Sequence, residues 1–261
     1  MDGEAKPPRR RLPLRRILFG AFALSWRHRG ELARATGLPI LAVIACTLAQ
    51  NLAGLSVNRP AQWTLYFTYS IAVSWLAISV HRLVLIEDGA GREQFSSTAL
   101  KRLGRFVGTV IGLWLAYLSL MFFIVNATLL PFARYVSTGE SPGPLIPNFG
   151  WFMTGAMILA MWPIARLSLL FPALAADQSF DPIAAWKATR GNGWKLAIVV
   201  GALPWALRSI ADSMYRDEAT WVEFGALLVL TAVFTVIQVV ALSLSYWELT
   251  RPEPPPTPPP A

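Results

Sequence analysis

The sequence predicts an all-α protein, a polytopic bundle of about six transmembrane helices. Three observations lead to this prediction. Hydrophobic residues make up 54% of the chain and charged residues only 15%, a composition that favours a bilayer as solvent. Six apolar stretches approach the roughly 20 residues that a helix needs to cross about 30 Å of hydrocarbon. Lysine and arginine are concentrated in alternate connections between these stretches, which indicates a fixed orientation in the membrane.

The chain divides into a membrane domain and two short tails. Residues 1–13 form a basic segment, residues 14–250 the membrane domain and residues 251–261 a proline-rich tail. We expect the proline-rich tail to be extended and disordered, because proline has no amide donor and a fixed φ. Aromatic and basic residues at 26–29 stand where a signal peptide would need small residues for cleavage. The amino-terminal segment is therefore expected to be retained.

The six predicted spans follow one another with short or proline- and glycine-rich connections. In chain order they are 38–57, 63–86, 106–132, 149–174, 194–214 and 222–246. The fifth has the weakest signal, because Lys195 and Arg208 bracket a short uncharged core. The fourth contains Pro163, which predicts a kink in that helix.

The distribution of basic residues sets the expected orientation. With the amino terminus inside, 19 of the 23 lysines and arginines face the cytoplasm and 4 face outward. Positively charged connections stay cytoplasmic in bacteria, so we expect a multi-pass protein of the bacterial inner membrane with both termini in the cytoplasm. Asn58 and Gly143 should then face the periplasm, and Gly91 and Gly191 the cytoplasm.

A similar motif precedes each odd-numbered span. Its copies are SWRHRGELA from Ser25, ALKRLGRFV from Ala99 and AWKATRGNGWKLA from Ala185, which suggests a period of about 80 residues. We interpret each copy as an elbow helix that lies in the membrane interface and ends at glycine before the chain enters the bilayer. Each elbow and the hairpin after it would form one of three parallel repeats. The alternative is an echo of a composition rich in alanine and arginine.

The third elbow carries the clearest signal for lipid contact. Asp181 and Pro182 match the preferred cap and first-turn residues of a helix. At helical spacing, Trp186 would face acyl chains while Lys187 and Arg190 would reach phosphates. The bilayer and its anionic headgroups are thus the expected partners.

A few polar residues inside the spans are candidates for function. Arg82 and Arg166 lie at corresponding ends of the second and fourth spans, where they would either extend to headgroups or bind a substrate. Nearby carboxylates, among them Asp177, could pair with these arginines. Asn126 and Gln238 lie deeper, where they would either join helices by hydrogen bonds or line a transport path.

No catalytic, cofactor-binding or metal-binding motif is recognisable. The single cysteine, Cys46, excludes an intrachain disulfide, and His28 and His81 lie on separate segments without an evident nucleophile partner. The net charge of +8 comes from basic residues that flank apolar runs, which does not indicate nucleic-acid binding. We therefore expect a protein that is not an enzyme, has no cofactor and binds no nucleic acid.

Two segments resemble a known group of membrane proteins. HRLVLIED from His81 and IARLSLLFPALAAD with AAWKATRGNGWKLA, between Ile164 and Ala197, resemble uncharacterised multi-span inner-membrane proteins of proteobacteria. The second segment is also similar to the membrane domain ahead of some bacterial glycerophosphodiester phosphodiesterases. The phosphodiesterase barrel of those proteins has no counterpart here. The resemblance thus implies a membrane module that recognises lipid or supports another protein, without that enzymatic activity.

Two functional hypotheses follow from the sequence. The first is a non-enzymatic inner-membrane module that interacts with lipid or with another membrane protein, a second copy of the chain included. The alternative is a small permease or exporter whose path is lined by Asn126, Gln238 and Arg166.

Overall fold

The computed structural model describes residues 11–53, 59–86, 96–137, 149–179, 181–206, 209 and 221–251. Within these ranges the regular structure is helical and contains no strand, which confirms the predicted all-α class. The helices are α1 (Leu14–Arg27), α2 (Arg29–Ala53), α3 (Arg59–Ile86), α4 (Ser97–Ser137), α5 (Phe149–Leu167), α6 (Leu170–Ala175), α7 (Pro182–Ala188), α8 (Gly193–Ala197, followed by a π-helical turn, Ile198–Ala202) and α9 (Trp221–Thr250).

Five helical segments of the described chain are long and apolar enough to cross a membrane. They are Arg29–Gln50, Gln62–Ile86, Ser97–Ala127, Gly155–Ala175 and Gly225–Thr250, so the protein is a multi-pass membrane protein. They correspond to the first four and the last of the predicted spans. The predicted fifth span, 194–214, begins in the shorter apolar helix Gly193–Ala206, and most of its remainder lies outside the described residues. Residues 1–10 and 252–261 of the two tails also lie outside them.

Helix α3 is at the centre of the bundle. It packs against α2, α4, α6 and α9, while α1 packs along α9. Apolar side chains fill the interior, with Leu76 and Val80 of α3 and Val240 of α9 completely buried. Their removal from water and lipid by close packing fixes the relative positions of the helices.

Several helix ends meet at one face of the bundle. The backbone of Leu12 is bonded to the side chain of Asn192, and Arg82 is bonded to Asp177. On the same face, the hydroxyl of Tyr246 donates to the side chain of Gln178. We call this end, which carries the start of α1 and α4, the end of α3 and α9 and residues 176–192, the basic face. Gly191 lies on this face, whereas Asn58, Gly91 and Gly143 lie outside the described residues.

The three predicted elbows differ in structure. Only the third is a separate short helix, α7, whose following turn contains Gly191 at φ 83°. The first motif spans the break at His28, and its Gly30 lies inside α2. The second lies within the continuous helix α4, so the prediction of a helix ending at Gly104 was wrong. A glycine costs about 1 kcal/mol inside a helix, which continuous hydrogen bonding and packing offset. The threefold repeat stays a prediction.

Candidate functional site

Helix α7 and the turn after it form the centre of the candidate site. The side chain of Asp181 accepts a hydrogen bond from the backbone N–H of Ala184 at 2.5 Å, and Pro182 occupies the first turn, as the sequence predicted. Ala185 is buried against the bundle. The positive φ of Gly191 then allows the chain to turn into α8. The sequence thus fixes both ends of this seven-residue helix.

Arg166 of α5 lies beneath the carboxyl end of α7. Its Nε donates to Thr189 Oγ1 at 3.0 Å and its Nη2 to the carbonyl of Trp186 at 2.5 Å. The guanidinium lies 3.5 Å from the centre of the Trp186 ring. A cation bonded to the last carbonyls of a helix complements the negative end of its dipole. Arg166 is only 7% exposed, so it does not extend to headgroups.

Two further residues close the packing around Arg166. Trp162 lies 5.2 Å from the guanidinium and makes an edge contact with Trp186, with ring centres 5.8 Å apart. At Gly193, a Cβ would come within 2.7 Å of Trp162 Nε1 and 3.1 Å of Arg166 Cδ. Glycine is therefore needed at position 193 because the arginine and the indole occupy the space of a side chain.

The site has an excess of positive charge. Lys187 and Arg190 are exposed above Arg166, and within the described ranges no carboxylate is paired with any of the three. Asp177 is paired with Arg82 and Arg102, and Asp181 caps α7.

An apolar rim accompanies the cations. It consists of the exposed side chains of Ile183, Trp186 and Trp194.

The turn also holds the amino-terminal segment. Asn192 Oδ1 accepts from the backbone N–H of Leu12 at 2.8 Å, and Lys195 Nζ donates to its carbonyl at 2.7 Å. Leu12 is completely buried. Helix α1 follows at once and presents Phe19, Phe22 and Trp26 outward. The geometry is that of an amphipathic helix attached to the bundle with an exposed aromatic face.

A second arginine cluster lies on the same face. Arg102 binds Asp177 through two nitrogens, at 2.8 Å from Nε to Oδ1 and 2.5 Å from Nη2 to Oδ2, and Arg82 binds it at 3.0 Å. The hydrogen bond from Arg102 is the largest cause that lowers the pKa of Asp177, and the charges of Arg102 and Arg82 lower it further. Asp177 has a φ of 56°, a region that aspartate tolerates better than most residues.

Arg82 therefore has the carboxylate partner that the sequence suggested. It forms an ion pair within the protein. Arg166 has no such partner among the described residues. Glu87 and Asp88, two further carboxylates that follow Arg82 in the sequence, lie outside the described residues. Sequence reasoning missed Arg102 because the motif suggested that all its basic residues face lipid. Its spacing from Phe106 and Val107, which are buried with it, could have indicated the inward side of α4.

The predicted intramembrane polar residues do not join this site. Asn126 is exposed and donates from Nδ2 to the carbonyl of Phe122 on its own helix at 2.7 Å. It lies about 36 Å along α4 from Arg102, at a rise of about 1.5 Å per residue. Gln238 is half-buried on α9. The described contacts therefore bring neither residue to Arg166.

His81 has a partner that sequence reasoning did not find. Its Nδ1 lies 2.7 Å from Ser243 Oγ, and both side chains are buried between α3 and α9. Ser243 Oγ also bonds the carbonyl of Val239 at 3.0 Å. When the imidazole of His81 donates to Ser243 Oγ, the hydroxyl of Ser243 donates to the carbonyl of Val239. The pair is then a hydrogen-bonded link between two helices. A separation of 162 residues left no local signal in the sequence.

Fold and site together define a multi-pass helical membrane protein with a basic face. The described residues contain no group of three or more histidine, cysteine, aspartate or glutamate side chains that could hold a metal ion. No family model, no curated protein and no solved structure matches the chain.

Proposed function

We propose that this protein is a non-enzymatic module of the bacterial inner membrane that binds anionic phospholipid headgroups at the turn after α7. One observation carries the proposal. Arg166, Lys187 and Arg190 are grouped at a helix end, and no carboxylate of the described chain is paired with them. A positive site without an internal counterion attracts an external anion.

The surroundings of the cations favour a lipid as that anion. Ile183 is 65% exposed and Trp194 57% exposed, beside the basic side chains. An apolar rim under a basic cluster matches the boundary between acyl chains and phosphates. In this arrangement Lys187 and Arg190 contact phosphates, each contributing about 1 kcal/mol near an anionic surface. Arg166 positions them by holding the end of α7.

The proposed orientation includes a sixth crossing of the membrane. The start of α8 and the end of α9 both belong to the basic face, because Asn192 binds Leu12 and α1 packs along α9. We propose that the chain crosses the bilayer once between Gly193 and the start of the last span at Gly225. With the basic face in the cytoplasm, both termini are cytoplasmic.

Reporter fusions at four positions test the orientation. We expect periplasmic signals at Asn58 and Gly143 and cytoplasmic signals at Gly91 and Gly191. A cytoplasmic signal at Gly143 would contradict both the charge argument and the six crossings.

Headgroup binding is tested with the purified full-length protein in nanodiscs of phosphatidylcholine with increasing phosphatidylglycerol, by counting retained lipids with native mass spectrometry. We expect Arg190→Gln to weaken phosphatidylglycerol retention about fivefold, the factor that corresponds to about 1 kcal/mol. The matched control is Arg59→Gln, an equal charge change at the start of α3 on the opposite face. Equal retention by both variants and the wild type would overturn the proposal.

A further inference from the structure

Both ends of α1 lie at the basic face. The start is fixed there because the backbone N–H of Leu12 donates to Asn192 Oδ1. The end is followed at once by α2, which forms a hairpin with α3 through a hydrogen bond from Gln50 Nε2 to the carbonyl of Leu65 at 3.2 Å. Gln50 lies 21 residues from the start of α2, and Leu65 lies 21 residues from the end of α3, so these two helix ends are level. The end of α3 belongs to the basic face, and α1, about 21 Å long, therefore runs along this face.

The middle of α1 packs against α9 close to the end of that span. A Cβ at Gly20 would lie 3.6 Å from Leu244 Cδ1. Leu244 is six residues before Thr250, where the span ends, a distance of about 9 Å along the helix. Amphipathic helices in a membrane interface bury their apolar side by about 5–10 Å. The depth of α1 relative to the end of the span is therefore that of an interfacial helix.

The circumference of α1 has three sides of different character. One side is packed on the bundle, with Ile17 and Ala21 buried. The second is an aromatic face whose rings are 60% to 67% exposed, at Phe19, Phe22 and Trp26. The third side, the arginine edge, carries the exposed Arg16 and Arg27, which share this edge because eleven residues make about three turns. With about 3.6 residues per turn, the arginine edge is turned by roughly 100° from the aromatic face.

Two further arginines stack on the aromatic face. Arg15 Cζ lies 5.7 Å from the centre of the Phe19 ring, and Arg29 Cζ lies 5.2 Å from the centre of the Trp26 ring. The aliphatic stem of such an arginine covers apolar surface while its charge stays at the polar boundary. Rings with flanking guanidinium groups are complementary to a phospholipid leaflet, which offers hydrocarbon to the rings and phosphates to the charges. Contact between the aromatic faces of two copies would bring Arg15 and Arg29 of both chains together, and like charges repel.

We propose that α1 lies in the plane of the membrane, in the leaflet at the basic face. Its aromatic face is inserted among the acyl chains, and its arginine edge lies at the phosphates and the water. The inference goes beyond the proposed function, since insertion of aromatic rings into hydrocarbon requires no anionic headgroup at the turn after α7. It assigns to the interface the stretch Leu14–Leu24, which precedes the first predicted elbow.

Site-directed spin labelling of the full-length protein in phosphatidylcholine nanodiscs measures the depth of the two sides. In a Cys46→Ser background, which removes the single cysteine, the nitroxide is attached to Phe22→Cys or to Arg16→Cys. Both positions are exposed, so the label does not disturb the packing of the bundle. Collisions with dissolved oxygen and with a water-soluble nickel chelate should place the Phe22→Cys label about 5–10 Å deeper than the Arg16→Cys label. Leu115→Cys, exposed within the span of α4, is the reference for contact with lipid.

Three results would overturn the inference. Equal collision of both α1 labels with the nickel chelate would place α1 outside the bilayer. A Phe22→Cys label shielded from oxygen and nickel alike, with the Leu115→Cys label open to oxygen, would assign the aromatic face to a protein contact. A depth difference that is present only when phosphatidylglycerol is added would attribute the position of α1 to charge instead of the rings.

The variant Arg190→Gln distinguishes this inference from the proposed function. It should weaken retention of phosphatidylglycerol at the turn after α7 and leave the depth of the Phe22→Cys label unchanged. Normal retention in Arg190→Gln with a deep Phe22→Cys label would remove the α7 site and support the placement of α1. Weakened retention with a Phe22→Cys label exposed to water would support the α7 site and overturn the placement of α1.

Discussion

The two arginine clusters of the basic face differ in how their charge is balanced. Arg82 and Arg102 share the carboxylate of Asp177, so the charge of this cluster is offset by an ion pair within the described chain. Arg166 bonds only a hydroxyl and a carbonyl and stacks on Trp186. Its charge, added to those of Lys187 and Arg190, is not balanced by a paired carboxylate in the described chain.

This difference separates two roles of buried arginine near a membrane surface. The shared ion pair joins three elements, the ends of α3 and α6 and the start of α4. Because the charges offset each other, it leaves little electrostatic potential outside the protein. An arginine bonded to neutral groups fixes a helix end equally well but keeps its positive potential. The first cluster therefore joins the helix ends of the face, and in the proposed function the second attracts anions to it.

The largest loss of stability should come from removing the carboxylate that Arg82 and Arg102 share. Asp177→Asn removes the charged partner that Arg82 shares with Arg102, whose side chain is 5% exposed. Breaking such a pair costs about 3 kcal/mol, the low end of the range because Asp177 is 49% exposed. Denaturation in detergent measures the change. Asp181→Asn makes the same substitution but keeps a helix cap, so equal losses in both variants would contradict the role of the cluster.

A smaller loss of stability should follow when an added side-chain atom crowds the packing around Arg166. Gly193→Ala places a Cβ 2.7 Å from Trp162 Nε1, which should cost about 2 kcal/mol and change tryptophan fluorescence. Gly30→Ala provides the control, because a Cβ there meets nothing within 4 Å and alanine favours helix. Wild-type stability and fluorescence in Gly193→Ala would contradict the tight contact.

Release of the amino-terminal segment should reduce the stability of the protein by less than either of these substitutions. Asn192→Ala removes the acceptor of the buried Leu12 N–H, with an expected loss of about 1 kcal/mol. Trypsin should then cleave faster at Arg15 and Arg16, which are exposed in α1. Asn126→Ala makes the same change at an exposed residue bonded within its own helix and should leave cleavage unchanged. If both variants are cleaved alike, the Leu12 contact does not anchor α1.

The smallest effect is expected from pH. The pKa of Asp177 is lower in the folded protein than its ordinary value of 3.8, chiefly through the hydrogen bond from Arg102. Ionised Asp177 therefore stabilises the fold above that ordinary value, and the contribution is lost as pH falls through the lower, folded pKa. Thermal unfolding should be independent of this group from pH 8 to about 5. Below about pH 4, the wild type should lose stability relative to Asp177→Asn, and parallel curves would contradict this linkage.

Much of the site was readable from local sequence. Asp181, Pro182 and Gly191 predict a short helix and its ends, because caps and positive φ depend on neighbouring residues. The same kind of reasoning failed at Gly104, where α4 continues. A glycine permits a helix to end but does not require it, and the decision depends on what packs against the following turn.

The inward or outward direction of the basic side chains was the harder part. Arg102 and Arg105 occur in one motif, yet one is buried on Asp177 and the other is exposed. Helical periodicity gives their relative angle, whereas the position of Asp177, 75 residues away, determines which side is inward. Pairing of His81 with Ser243 depends in the same way on the packing of α3 against α9.

The sequence by itself determined that this is an α-helical, multi-pass membrane protein, because span length, apolar composition and caps act within one segment. Only the tertiary structure decided which arginines are neutralised and which keep their charge. Arg82 and Arg166 look equivalent along the chain, each near the end of a span. Their difference arises because the turn after α6 brings a carboxylate to one, and α7 brings only hydroxyl and carbonyl oxygens to the other.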